Sequence, residues 1–331
     1  YIVGTGNTGA AGAFFTLGAV YFIVMMIAAF QYRVPAKDWK PEGYSPPSKD
    51  ESTTKMKTLN NVHINQAIKT PQFYQLWIVL CFNVSAGIGV IGVAKTMMSE
   101  IFGSAPAGSE MATMVTAGFA GSYVLMISVF NMCGRFIWAS LSDYIGRKNT
   151  YHCFFVIGTL LYLSIPFAAN AVSVDPKIMY LIMFYAATMI IFTMYGGGFA
   201  TIPAYLADMF GTMHVGGIHG RLLTAWSAAG VIGPLAIAQL RQLSVNNALD
   251  SLKVNIDPTL FLEKFGAPIE KIDELVKAKT VTISKLMEIA PLGTVDPTPS
   301  LYNTTMYAMA FLLVIAFFSN LLIKPVNKKH F

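Results

Sequence analysis

Seven long apolar runs divide this sequence, and each has about the length that crosses a lipid bilayer. The chain has 331 residues, of which 54% are hydrophobic and 12% charged, and its mean hydropathy is +0.54. Soluble domains carry about 25% charged residues, so the composition argues against a water-soluble domain. A run of about 20 apolar residues matches a hydrocarbon core about 30 Å thick. We therefore predict membrane-spanning helices at residues 10–30, 73–98, 112–133, 151–171, 178–198, 222–241 and 302–323.

A compact charged segment, residues 134–148, separates the third and fourth runs. It contains Arg135, Asp143, Arg147 and Lys148, whereas the runs on either side contain no Asp, Glu, Lys or Arg. A charge at the centre of a bilayer costs roughly 2.5–3.5 kcal/mol on insertion scales. We therefore expect this segment to be a short loop at a membrane face.

Basic residues are concentrated on one side of the predicted membrane. Residues 31–72, 134–150, 199–221 and 324–331 together hold 14 Lys and Arg against 6 acids, and the rest of the chain holds 9 against 11. By the positive-inside rule the first side is cytoplasmic or matrix-like, which fits a plasma membrane or an organelle inner membrane equally well. The net charge of +6 thus follows the membrane topology, and we predict no nucleic-acid partner.

The first residues satisfy a nucleotide-binding pattern that the rest of the chain does not support. Gly4, Gly6 and Gly9 match G-x-G-x-x-G, but only three residues precede them and no acidic residue occurs before Asp38. We interpret these glycines as a helix-packing or flexible entry segment and predict no cofactor. The chain begins without Met or a basic n-region, so we expect that further sequence precedes it in the gene.

Two polar segments interrupt the membrane pattern. Residues 31–72 are basic and rich in proline, which is typical of a linker without a core of its own. Residues 246–300 form a soluble-looking insert. Within it Ile269, Ile272, Leu275 and Val276 share one helical face, so we predict a short amphipathic helix. That face could meet the module itself, the membrane surface or a partner protein.

A few polar residues inside the apolar runs are candidates for function. Asn83 lies at mid-depth, where it would either line a cavity or form an interhelical hydrogen bond. Lys95 lies near the end of the same run and would either reach the headgroups or bind an anion. His214 and His219 are five residues apart, not three or four, so we predict no metal site there.

Several motifs resemble those of a known family of membrane proteins. Residues 139–148, ASLSDYIGRK, resemble the cytoplasmic loop motif of the major facilitator superfamily, with Ala139 where glycine is usual and Tyr144 where a basic residue is usual. Three further stretches are similar to the oxalate:formate antiporter family within it. They are residues 15–46, 69–95 and 196–234.

This resemblance implies an all-α membrane protein whose seven helices match helices 6–12 of the twelve-helix major facilitator fold. Residues 1–30 would be the last helix of the N-terminal half, and residues 31–72 the cytoplasmic central linker. Residues 73–331 would be the C-terminal six-helix bundle, with an extramembrane helical insert at 246–300. In that fold two six-helix halves rock about a site near the middle of the membrane.

The resemblance also implies a conformational latch at the cytoplasmic helix ends. Asp143 would favour the N-terminus of a neighbouring helix or pair with Arg135. The predicted latch residues are Gly134, Arg135, Asp143, Gly146, Arg147 and Lys148.

The charge of the predicted cavity limits the class of substrate that could bind there. Family members that carry dicarboxylates use basic side chains on the helices that match residues 112–133 and 222–241, and here these runs contain no Lys or Arg except Arg241, the last residue of the second run. A dianion would lack a counter-charge there. This disfavours oxalate and leaves a monocarboxylate, a neutral solute or no solute.

We therefore expect a transporter of a small, monocarboxylate-like organic anion that works by alternating access. Its predicted cavity-lining residues are Asn83, Tyr185 and Trp226. Its partners would be membrane lipids and either the missing N-terminal helices or a partner membrane protein. The alternative is a degenerate transporter half that serves as a structural subunit of a larger membrane complex. An enzyme is not expected, because no apolar run carries the paired acid, base or nucleophile of a catalytic site.

Overall fold

A computed structural model describes residues 10–33, 36, 39, 58, 60–103 and 110–330. Helix is the regular secondary structure throughout these residues. The chain divides into two compact units, Tyr1–Thr53 and Thr54–Phe331. The glycine motif at residues 4–9 and most of the predicted linker lie outside the described residues.

Thirteen α-helices follow one another in the described part of the chain. They are α1 (Ala10–Gln31), α2 (Ile64–Ala67), α3 (Pro71–Phe102), α4 (Glu110–Met114), α5 (Ala117–Ile145), α6 (Arg147–Val174), α7 (Ile178–Phe210), α8 (Val215–Leu222), α9 (Thr224–Asn255), α10 (Pro258–Phe265), α11 (Ile272–Lys277), α12 (Ile283–Met287) and α13 (Asn303–Leu322), with 3₁₀ turns at Ile269–Lys271, Thr298–Tyr302 and Lys328–His330.

Seven helical segments among the described residues are long and apolar enough to cross a membrane. Each coincides with one predicted span apart from residues at its ends, and α8 and α9 together form one of them. The segments are Ala11–Gln31, Pro71–Phe102, Ala117–Ile145, Arg147–Val174, Ile178–Phe210, Val215–Asn255 and Thr298–Leu322. The prediction of an all-α, multi-pass membrane protein is confirmed.

The first unit contributes a single described helix. α1 is 22 residues long and contains no charged residue. A helix that is apolar around its whole circumference needs an apolar surrounding on every side. Lipid supplies such a surrounding, so α1 fits the span that the sequence predicts at residues 10–30.

The second unit contains six long helices, of which α3 is the most central, and the other five pack around it. α3 packs against α9 and α13, α5 packs against α7, and α6 packs against α13. Buried tyrosines tie the helices together through backbone carbonyls. The Tyr151 hydroxyl donates a hydrogen bond to the carbonyl of Gly198 (2.7 Å), and the Tyr162 hydroxyl donates to the carbonyl of Ala86 (2.8 Å). These bonds satisfy polar groups that lipid could not.

The expected loop at residues 134–148 is wrong. α5 continues to Ile145, one residue interrupts it, and α6 begins at Arg147. The interruption is Gly146, whose φ of 86° favours glycine because it has no Cβ. No strong helix breaker precedes it, so the charged segment is mostly helix. Arg135 therefore lies about 15 Å before the end of α5, at 1.5 Å per residue.

The expected insert at residues 246–300 begins within a helix. α9 extends to Asn255, so residues 246–255 are its last turns. These turns carry Ser, Asn and Asp as well as buried leucines, which explains why their composition resembles that of a soluble segment. The insert proper begins at Ile256 and contains α10, α11 and α12.

The insert packs against the module itself. Phe261, Ile272 and Leu286 are almost completely buried, in one apolar cluster with Leu249 and Leu252 of α9. The predicted amphipathic helix is confirmed as α11 with the preceding 3₁₀ turn. Of the three partners that the sequence leaves open for its apolar face, the structure selects the bundle.

The bundle of the second unit has two distinct ends. At one end the Lys148 ammonium donates to the carbonyl of Ile323 (2.7 Å), and Gln72 donates to the carbonyl of Lys324 (3.1 Å). We call this end, with the α5–α6 turn, the basic face. The other end carries α10–α12 and is called the insert face. Since α9 runs from the basic face to the insert, the insert and the α5–α6 turn lie at opposite ends of the bundle.

Candidate functional site

α5 and α7 cross closely near the middle of their lengths. A Cβ on Gly134 would lie 2.0 Å from the carbonyl oxygen of Thr193, and a Cβ on Gly196 would lie 2.0 Å from that of Asn131. Only glycine fits at such a contact. Gly196 thus permits a close approach within a continuous helix.

A tryptophan secures this crossing. The indole N–H of Trp138 donates to the hydroxyl of Thr193 (3.1 Å), and the ring meets Phe154 of α6 edge to face (5.0 Å between centroids). α5 is thereby held against both α6 and α7. Arg135 lies between Gly134 and Trp138 in the chain, so its backbone position is fixed by contacts on both sides.

Arg135 is an exposed cation near the middle of a membrane-spanning helix. The midpoint of α5 is residue 131, which places Arg135 about 6 Å towards the basic face. Its guanidinium carbon lies 5.9 Å from the ring centroid of Phe199, and it forms no ion pair with any described residue. A cation at this depth is costly and marks a functional position by default.

Phe199, the ring beside Arg135, packs against rings of α7 and α9. The Phe199 ring lies 4.8 Å from the Trp226 ring and 5.2 Å from the Tyr195 ring, between centroids. Tyr195 is buried, Phe199 is half-buried and Trp226 is 43% exposed, so the group opens to the outside of the bundle on the side of Trp226. We call Arg135, Tyr195, Phe199 and Trp226 the arginine site.

The cations at the basic face are engaged in contacts between helices. Arg147 pairs with Asp143 of α5, and its Nε lies 3.7 Å from the carboxylate of Asp208 at the end of α7. Lys148 donates to the carbonyls of Leu321 (2.9 Å) and Ile323 (2.7 Å) at the end of α13. Four helix ends therefore meet around two consecutive basic residues.

This arrangement separates the predicted latch residues into two groups. Asp143, Gly146, Arg147 and Lys148 lie together at the basic face, whereas Gly134 and Arg135 lie at the α5–α7 crossing. Of the two partners left open for Asp143, Arg135 is not the one found, because Asp143 pairs with the first residue of α6. A latch function for the first group stays a prediction.

The cation of α9 is also paired. Arg241 forms an ion pair with Glu100 of α3, and its Nε donates to the Tyr302 hydroxyl (3.0 Å). That hydroxyl donates in turn to Glu100 (2.7 Å). Lys95 is exposed and lies about 10 Å from the insert-face end of α3. Arg135 differs from Arg241 because it has no ion pair among the described residues, and it differs from Lys95 because it lies near the middle of its helix.

The structure brings only one of the three predicted cavity-lining residues into the arginine site. Trp226 belongs to it, whereas Tyr185 lies 13 to 14 residues before Gly198 and Phe199 on α7, about 20 Å away at 1.5 Å per residue. There Tyr185 packs against the Tyr123 ring (5.4 Å).

Asn83 lies behind the arginine site, inside the bundle. It is 8% exposed and lines an internal cavity of about 20 Å³ whose wall includes Tyr195. Its Nδ2 has no hydrogen-bond partner among the described residues. The cavity has room for one water molecule. Asn83 therefore lines a cavity, but a cavity too small for a solute and separate from the open side of the site.

Sequence reasoning missed Arg135, Tyr195 and Phe199 as members of one site. Because the third run was ended at Cys133, two residues before the first charge, Arg135 was assigned to a loop. Helical continuity up to Gly146 was the signal that could have placed it inside the span. Both cavity helices thus contain a basic residue, because α5 continues through Arg135 and Arg241 lies within α9.

Within the described residues, no group of three or more His, Cys, Asp or Glu side chains is placed to hold a metal ion. His214 precedes α8, and its ring meets the His63 ring at 5.1 Å between centroids. His219 lies within α8. The two histidines singled out from the sequence are thus on neighbouring elements and do not converge with acidic ligands.

The sequence matches the Major Facilitator Superfamily over residues 2–239, which is more than half of the chain. The chain belongs to this superfamily. It is 27% identical over 277 residues to the oxalate:formate antiporter of Oxalobacter formigenes, which covers 81% of this chain and 58% of that protein. It is 25% identical over 169 residues to YhjX, an uncharacterised MFS-type transporter of Escherichia coli K12, covering 49% of this chain and 37% of that protein.

These comparisons confirm the resemblance to the superfamily and to its oxalate:formate antiporters. They point to a transporter rather than an enzyme, since both relatives are named as transporters. The chain spans 58% and 37% of the lengths of the two relatives. The matched regions therefore represent only part of each relative.

Proposed function

We propose that this chain forms the C-terminal part of a carrier that moves a small monocarboxylate across a membrane by alternating access. The observation that supports this proposal most strongly is Arg135, exposed at mid-depth without an acidic partner among the described residues. Solvating such a cation in a membrane requires an anion or water. A substrate carboxylate supplies the anion and is bound in turn.

The single guanidinium favours one carboxylate over two. Arg135 presents a planar fork that binds a carboxylate through two parallel hydrogen bonds. The rest of the arginine site consists of rings, which offer no counter-charge to a second carboxylate. A relative is named for oxalate and formate, and formate is the monoanion of the two. The proposed substrate is thus of the formate type in charge.

Alternating access would use the ion pairs at the basic face. In this proposal the N-terminal helices complete the cavity over the arginine site, and the Asp143–Arg147–Asp208 contacts hold the basic-face helix ends in one conformation. α1 would be the last helix of the N-terminal half. Tyr185 would lie along the pathway towards the insert face, about 20 Å from Phe199.

Counterflow in proteoliposomes tests this proposal. The natural full-length protein that contains this chain is reconstituted, the vesicles are loaded with acetate, and uptake of labelled formate is measured against the leak of protein-free vesicles. We expect uptake above the leak and stronger inhibition by acetate than by oxalate. Removing one partner of a buried charge pair costs about 2–5 kcal/mol, so Arg135→Gln should lower uptake at least about 30-fold.

Arg135→Lys and Lys264→Gln are the matched variants. Lysine keeps the charge but not the fork, so partial activity is expected. Lys264 lies on the insert, paired with Glu288, and its replacement should leave uptake unchanged. Normal uptake by Arg135→Gln would refute the proposal. Failure of any carboxylate to exchange would favour the alternative, a structural subunit of a membrane complex.

A further inference from the structure

The arginine site is asymmetric, with one cation on one side and ring faces on the other. The Arg135 guanidinium lies 5.9 Å from Phe199, and Phe199 lies 4.8 Å from Trp226, so the three side chains from α5, α7 and α9 form a continuous row. The nearest neighbours of the cation in this row are apolar. A ligand that reaches Arg135 must therefore place its remaining atoms beside hydrocarbon.

We infer that this site selects monocarboxylates that carry an apolar body of several carbons, with the carboxylate on Arg135 and the body against Phe199 and Trp226. The inference rests on the proposed function and specifies its substrate class. Formate has no body to bury and gains nothing from the rings. Oxalate would bring its second carboxylate against them, where a charge without a partner is costly.

Phe199 has a second part in this inference, as the group that the ligand displaces. In the structure its ring centroid lies 5.9 Å from the guanidinium carbon, so a ligand that binds Arg135 meets this ring. A cation–π contact at a partly exposed site is weak, whereas a bidentate carboxylate contact is charge-assisted and stronger. The carboxylate therefore takes the place of the ring at Arg135. The ring stays against Trp226 and adds to the apolar wall.

The magnitude follows from apolar burial. Each methylene removed from water contributes about 0.8 kcal/mol, which corresponds to about a fourfold change in the dissociation constant. Burial against an open wall is incomplete, so about twofold to threefold per methylene is expected. From acetate to butyrate the dissociation constant should therefore fall about fourfold to ninefold.

Equilibrium binding to the natural full-length protein in detergent tests the inference without interference from acid leakage through vesicles. Isothermal titration is carried out with formate, acetate, propionate, butyrate and oxalate at pH 7.5. The expected order of affinity is butyrate, propionate, acetate and then formate, with oxalate weaker than acetate. A flat series would overturn the inference and leave the proposed function standing, whereas an oxalate affinity above that of butyrate would contradict both.

Variants assign the effect to the two rings. Phe199→Ala and Trp226→Ala should each flatten the series while acetate binding changes less than about threefold. Phe167→Ala is the matched control, because Phe167 is an exposed ring on α6 outside the arginine site. Equal flattening by Phe167→Ala would contradict the assignment to the rings. If the unmodified protein binds none of the five anions, both the inference and the proposed function fail.

Discussion

Two arginines within membrane-spanning helices of this protein have opposite surroundings. Arg241 is paired with Glu100 and bonded to the Tyr302 hydroxyl, so its charge is neutralised by the protein itself. Arg135 has rings for neighbours and no ion pair in the described residues. The Arg241 cation joins helices and has its own acid, whereas the Arg135 cation, which we propose binds the ligand, is left open. On this account Arg241 is a structural position and Arg135 a functional one.

The largest expected effect comes from disturbing the position of Arg135 without touching its charge. A Cβ on Gly134 would meet the backbone of Thr193, which cannot move aside as a side chain could. Gly134→Ala should therefore lower the free energy of unfolding by about 3 kcal/mol, at the upper end of overpacking effects. Thermal unfolding in detergent, followed by fluorescence, measures the change.

Gly121→Ala is the control for this substitution. It lies on the same helix, and a Cβ there would meet no atom within 4 Å. Its melting temperature should match that of the unmodified protein. Equal melting temperatures for both variants would show that the α5–α7 crossing does not require glycine at position 134.

A smaller effect is expected when Arg241 is made to resemble Arg135. Glu100→Gln leaves Arg241 without its counter-charge. The side chains of both residues are about a quarter exposed, so the cost should be about 2 kcal/mol, below the roughly 3–5 kcal/mol of a fully buried pair. The melting temperature should fall by several degrees. Asp175→Asn breaks an exposed pair with Lys177 and should change it little, and equal shifts for the two would argue against a structural role for the Arg241–Glu100 pair.

The smallest effect on stability concerns the ion pair at the basic face. Asp143 is 63% exposed, so Asp143→Asn should cost less than about 1 kcal/mol. Its expected effect is a change in the inward-to-outward population, seen as altered maleimide labelling of a Tyr144→Cys reporter in the full-length protein after the native cysteines are replaced. Glu288→Gln on the insert should leave labelling unchanged. Identical labelling with and without Asp143→Asn would remove the latch.

The sequence predicted the architecture better than the site, and the reason is physical. Hydropathy sums over about 20 residues, so the seven spans could be found from composition alone. A span boundary depends on where helix geometry stops, which at the α5–α6 junction is set by Gly146 and not by the first charge, Arg135. The site also depends on which faces of α5, α7 and α9 converge, and that information lies in contacts between distant residues.

Trp226 and Asn83 show how far cavity-lining residues could be predicted from the sequence. Trp226 was singled out from the sequence and lies in the arginine site, beside Phe199. Asn83 was singled out as a polar group at depth, yet it faces a cavity with room for one water. A polar residue within a span was predictable, whereas the direction of its side chain within the bundle was not.

The most direct test of the contrast between Arg135 and Arg241 is to replace each with glutamine in a separate variant and to measure the stability and the counterflow activity of both variants. We expect Arg135→Gln to abolish uptake while the melting temperature stays within a degree or two. Arg241→Gln should lower the melting temperature by several degrees, while uptake by the folded protein stays within about threefold. The same pattern for both substitutions, or uptake that depends on Arg241 and not on Arg135, would contradict the functional role of Arg135.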